Sequence, residues 1–148
     1  MLSHFFYDIK WHSDTEYVII DFPPGTGDIV LDVKNIVPQT KMIIVTTPNV
    51  SASHVAVKAG FAVKTLGHDI LGVIENMSYY INPVNKDKEY IFGKGGGSKV
   101  AKSLDTELIA ELPINRPKYH QDVYEIDEEN GKIYDDIAEF IIFKSNEI

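Results

Sequence analysis

The chain has no cysteine. Disulfides are excluded, and so are thiolate-held zinc or iron–sulfur sites built from its own side chains. A chain without cysteine fits a reducing cytoplasm. No apolar run approaches the roughly 18 residues that a membrane span needs. The opening Met1-Leu-Ser-His-Phe-Phe-Tyr-Asp8 lacks the basic region and small-residue cleavage site of a secretory leader. Positive charge is scarce: 14 Lys and Arg stand against 22 Asp and Glu, for a net charge of −8. The acids crowd into the last quarter. That balance speaks against nucleic acid and against an anionic membrane as partners. His4, His12, His54, His68 and His120 have no paired spacing, so they read as local hydrogen-bonding groups rather than metal ligands. There is no G-x-S-x-G elbow and no basic stripe with aromatics.

What is present is a chain of 148 residues with an ordinary apolar fraction. That length fits a single domain, residues 1–148, with room for a core. Strand and helix signals alternate along it. Residues 2–10 read as the end of a helix. Residues 17–22 are the first predicted strand. Asp28 is placed to cap a helix that Pro38 stops. Lys41–Thr47 is a second strand. Ser51 is placed to cap a long helix with Ala52, Val55, Ala56, Ala59, Ala62, Val63 and Leu66 on its inner face, and Gly67 at its end. Ile70–Glu75 is a third strand. Residues 79–92 read as an extended excursion with a turn. Gly95–Gly97 leads into a short helix over 98–104. Glu107–Leu112 is a fourth strand, stopped by Pro113. A last helix is predicted over 132–143, with Ile133, Ile137, Phe140 and Ile141 buried. The alternation predicts an α/β fold: a doubly wound, mainly parallel sheet with helices on both faces.

Tyr17-Val-Ile-Ile-Asp-Phe-Pro-Pro-Gly-Thr-Gly-Asp28 carries the most chemistry. An apolar strand ends in Asp21, and a stiff, glycine-rich turn follows. Ligands of open α/β sheets bind where strands end at their carboxyl side. An acid there, with bare backbone N–H groups after it, suits a magnesium-bound phosphate. A second glycine-rich stretch, Phe92-Gly-Lys-Gly-Gly-Gly-Ser-Lys99, imitates a phosphate cradle. It fails the pattern, because Val100 stands where a magnesium-binding hydroxyl belongs. It reads as a tight turn into a helix. Asn76, at the end of a strand, carries an amide suited to a base edge; closing a turn is the plainer role for it.

In this order the pieces resemble the Mrp/NBP-type ATPases, the ApbC-like branch of the deviant Walker A class of P-loop NTPases that includes MinD and ParA. The matching segments are Asp21-Phe-Pro-Pro-Gly-Thr-Gly-Asp28, Val45-Thr-Thr-Pro48, Gly72-Val-Ile-Glu-Asn-Met-Ser-Tyr79, Tyr90-Ile-Phe-Gly-Lys-Gly-Gly-Gly97 and Glu111-Leu-Pro-Ile114. The resemblance implies an ATP-binding, ATP-hydrolysing protein. Asp21 would be catalytic and hold Mg2+ through water, and Gly25 would offer its N–H to the γ-phosphate. Asn76 would read the adenine, and Pro113 would open the segment that walls the base. It further implies a cytoplasmic homodimer that carries iron–sulfur clusters to client apo-proteins.

Two features depart from the family's pattern. The Lys-Gly-Gly-x-Gly-Lys-Ser/Thr loop (Walker A) is expected before Asp21, and the short lead-in does not supply it. The chain therefore reads as the C-terminal portion of the domain, begun in mid-fold. The strand feeding that loop would lie between residues 17–22 and 41–47. The family's Cys-x-x-Cys pair is replaced by Asn82 and Asn85, and amides do not stand in for thiolates on iron. No iron–sulfur ligand is expected in this chain. The alternative reading is a regulatory or interaction module that keeps the fold without catalysis.

Overall fold

The computed structural model describes residues 2–22, 27–119 and 123–146. Its elements in chain order are α1 (Leu2–Tyr7), α2 (Gly27–Ile36), β1 (Met42–Thr46), α3 (Val50–Thr65) and β2 (Ile70–Glu75). There follow β3 (Tyr80–Ile81), β4 (Lys88–Glu89), α4 (Gly96–Ser103), β5 (Leu108–Glu111) and α5 (Glu129–Asn146). β1, β2 and β5 form a parallel sheet with β2 in the centre. β3 and β4 make a separate antiparallel hairpin.

Alternation along the strands sends successive side chains to opposite faces. Ile44 and Val73 pack with Ala56 of α3 and Val100, Ala101 and Leu104 at α4. Their neighbours Ile43 and Ile74 pack on the other side with Ile133, Ile137 and Ile141 of α5. Two apolar clusters thus lie on two faces of one sheet, which is the doubly wound α/β arrangement the sequence predicts. α5 begins three residues earlier than predicted and presents Ile133, Ile137 and Ile141 as expected.

Three expectations need correction. Residues 17–22, the predicted first strand, join no ladder. Tyr17 and Val18 are exposed, and Ile19 is 91% exposed. β-Branched side chains favour an extended backbone, but a strand also needs a neighbour's N–H and C=O groups. Among the described residues, β1 pairs with β2 alone and its other edge is free. The second correction concerns α3. Its cap is Asn49, not Ser51: the Asn49 side chain accepts from the Ser51 N–H at 2.8 Å. Its buried residues are Ser53, Ala56, Gly60 and Val63, whereas Val55 is exposed. Close packing selects the small side chains. A Cβ on Gly60 would crowd the buried Leu104 side chain, so glycine here favours the close approach of α3 to the end of α4. The third is Asp28, which lies inside the first turn of α2 rather than ahead of it.

Candidate functional site

The carboxyl ends of β1, β2 and β5 form one rim, where open α/β sheets bind ligands. β2 ends at Glu75 and turns through Met77, whose φ of 55° is left-handed. Beyond the strands, backbone bonds keep the rim together. The Asn76 N–H donates to Thr46 O (2.8 Å) on the β1 side. On the β5 side, Leu112 N–H donates to Glu75 O (2.8 Å), Ser78 N–H to Leu112 O (2.9 Å) and Ile114 N–H to Tyr79 O (2.7 Å). Asn76 and Pro113 are therefore brought to adjacent strand ends.

Asn76 is half-buried. Its Oδ1 accepts from the Met77 N–H at 2.8 Å, and its Nδ2 has no partner among the described residues. Pro113 is buried, and its carbonyl accepts from Asn130 Nδ2 at 3.2 Å. Asp21 is not joined to this pair by any hydrogen bond among the described residues. It is exposed, lies in the segment that forms no strand, and has no hydrogen-bond partner among the described residues. Its expected place at a strand end is therefore not realised. Gly25 lies outside the described residues.

Glu75, which the sequence reading passed over, organises the rim. Its side chain is fully buried. Oε1 accepts from Ser78 Oγ at 2.5 Å, and Oε2 accepts from the Gly97 N–H in the first turn of α4. A carboxylate at a helix N-terminus satisfies an orphan donor and the helix dipole together. This explains the Gly95-Gly-Gly97 run. Gly95 caps α4 at φ 73°. A Cβ on Gly96 would meet Pro48 O at 2.6 Å, and one on Gly97 would meet Glu75 Cβ at 2.7 Å. The run is a packing joint whose Gly97 N–H is already engaged by the protein's own carboxylate. One signal in the sequence pointed to Glu75: an acid directly after Gly-Val-Ile in a buried strand requires partners.

A second buried acid fixes the loop after Pro113. Glu128 Oε2 accepts from the Lys118 N–H (3.0 Å) and Oε1 from the Glu125 N–H (3.1 Å). Tyr124 donates its hydroxyl to Asn115 O at 2.7 Å. Burial, then Tyr134 and Glu128, push its phenol above the ordinary value, so it stays a donor at neutral pH. Asn130 Oδ1, beside Pro113, is buried without a partner.

The hairpin holds Asn82 and Asn85, the asparagines singled out by their spacing. Asn82 Oδ1 accepts from the Val84 N–H (2.9 Å), and Asn82 Nδ2 donates to Glu89 Oε1 (2.6 Å). Asn85 Oδ1 accepts from the Asp87 N–H at 3.1 Å. Lys88 Nζ lies 3.7 Å above the Tyr79 ring. These amides close a turn and do not fit a cluster. Among the described residues no group of three or more His, Asp or Glu could hold a metal ion. No described helix is long and apolar enough to cross a membrane.

Known proteins resemble the chain over most of its length. The iron–sulfur cluster carrier protein of Bacillus subtilis is 44% identical over 147 residues, covering 95% of this chain and 41% of that protein. The carrier protein of Saccharolobus solfataricus is 40% identical over 116 residues, covering 77% and 38%. The chain thus spans about two fifths of the length of these relatives. A solved nucleotide-binding protein from Archaeoglobus fulgidus, in complex with ADP, is 32% identical with a TM-score of 0.49, covering 64% of this chain and 39% of that one. The model of the ParA family, described as NUBPL iron-transfer P-loop NTPase, matches residues 1–141. With the parallel sheet and the ordered rim, that match settles the family: the chain belongs to the iron-transfer P-loop NTPases of the ParA group.

Proposed function

We propose that residues 1–148 are the adenine-binding portion of a nucleotide-switched ATPase that serves iron–sulfur cluster transfer. The observation that carries this reading is the pairing of Asn76 with Pro113 at adjacent strand ends, with Asn76 Nδ2 unengaged. A side-chain amide offers a donor and an acceptor together, which matches the edge of adenine. Pro113 and the loop fixed by Glu128 wall the base. Asp21, exposed and without a hydrogen-bond partner among the described residues, suits a magnesium ion held through water, since Mg2+ keeps much of its hydration shell. Gly25 offers its N–H to the γ-phosphate. The lysines that neutralise the triphosphate come from a loop outside residues 1–148, whose strand lies along the free edge of β1. The intact form is a cytoplasmic homodimer. The cluster is cargo for client apo-proteins, and its thiolates come from outside these residues.

The test uses the intact protein. Asn76→Ala is expected to weaken ATP binding about ten-fold, the worth of one good hydrogen-bonding group. Asp21→Asn is expected to slow magnesium-dependent phosphate release far more than it weakens ATP binding, because the acid acts through the metal. Calorimetric titration and phosphate release measure the two. Equal loss of both in Asp21→Asn would make the acid structural. The occupied Gly97 N–H favours a second reading, an interaction module without catalysis. An intact protein that binds no adenine nucleotide would establish that reading instead.

A further inference from the structure

We propose that His68 is a proton-dependent clamp on α2: the ring fastens this helix to the core fully only when both its nitrogens carry protons. His68 follows Gly67, the left-handed residue (φ 78°) that ends α3, and is 4% exposed. Its Nδ1 lies 3.1 Å from Thr40 O, ahead of β1, and its Nε2 lies 3.3 Å from Val30 O, in α2. Both partners are carbonyl oxygens, which only accept. A neutral imidazole has one N–H and one lone pair. In either tautomer one ring nitrogen therefore turns its lone pair toward a carbonyl oxygen. The imidazolium donates to both.

The clamp works beside a permanent fastening. Lys34 of α2 donates through Nζ to Gly67 O (2.6 Å) and Pro38 O (3.0 Å). The surrounding charges are mixed. The charged groups around His68 are Lys34 on α2 and, lining the cleft beside the ring, Lys41, Lys64, Asp69, Asp105, Glu107 and Lys144, with Asp69 paired to Lys41 at 3.9 Å. Lys64 is tied to Leu104 O and Lys144 to Glu107, so neither moves freely onto the ring. α2 starts at Gly27, directly after the segment that begins at Asp21. The proton on His68 thus sets how firmly α2 is held to the core. The clamp stands whether or not the protein binds nucleotide.

Amide hydrogen exchange on residues 1–148 tests it, read at about pH 5.5 and about pH 8, either side of the imidazole range. After correction for intrinsic exchange, amides of α2 are expected to be about ten-fold better protected at the lower pH, one hydrogen bond's worth. α3 serves as the reference and is expected to change less. In His68→Gln, which keeps a donor but does not titrate, α2 protection is expected to be flat with pH. Flat protection in the wild type, or the same rise in His68→Gln, overturns the proposal. Should His68→Gln not fold, the ring 15N shifts of the wild type decide. Protonation of both nitrogens in step with α2 protection supports the clamp; α2 protection that changes without the ring refutes it.

Discussion

At Glu75, one carboxylate satisfies a hydroxyl and a helix N-terminus, both inside the protein. Removing it strands the Gly97 N–H and the Ser78 hydroxyl without water to replace the lost acceptor. Glu75→Ala is therefore expected to destabilise the fold by about 3 kcal/mol. Glu75→Gln should cost about 1 kcal/mol, because the amide oxygen still accepts from Gly97 while the Ser78 hydroxyl rotates to accept from the amide N–H. Urea unfolding of both variants measures the difference. Equal losses would mean that the charge, and not the acceptor geometry, holds the joint. The place of Asn76 just past a strand end was legible, because the apolar run Ile70–Glu75 stops before it. Of Glu75, only the need of a strand acid for partners was legible, not the partners themselves. Acids are seldom buried, and the partner that makes burial tolerable lies 22 residues away in the chain.

The elements divide into those whose periodicity names a partner and those that need one from elsewhere. β1, β2, β5 and α5 follow their apolar patterns, since each buries a face against a neighbour present in the chain. Residues 17–22 have the same local preference and no ladder. The consequence is measurable. Ile19→Lys is expected to change the stability of residues 1–148 by no more than about 0.5 kcal/mol, as an exposed substitution should. Ile44→Ala, within the α3 and α4 cluster, should cost about 2–4 kcal/mol. A large loss for Ile19→Lys in denaturant melts would place residues 17–22 inside the cooperative unit. α3 shows the other limit of sequence reading. Hydrophobicity chose Val55, Ala59 and Ala62 for its inner face, whereas close approach to α4 selected Ser53 and Gly60. The pattern carries apolar content but not interhelical distance.

For the molecule as a whole, the open β1 edge of the sheet and an apolar run outside any ladder set the expected behaviour. Residues 1–148 should unfold over a broad thermal range, because β1 leaves backbone groups of one edge unpaired. They should also release no phosphate from magnesium–ATP. Asp21 brings negative charge to the triphosphate, and the glycine run that resembles a cradle has its Gly97 N–H engaged by Glu75. A sharp calorimetric transition together with turnover abolished by Asp21→Asn would refute both expectations. The β3–β4 hairpin has a different consequence for the same molecule. Its turn is drawn shut by Asn82, Asn85 and Glu89, and its flank by Lys88 over Tyr79. None of these groups is a thiol or needs a metal. The hairpin's hydrogen bonds are therefore expected to be the same in air, under reductant and in the presence of chelators.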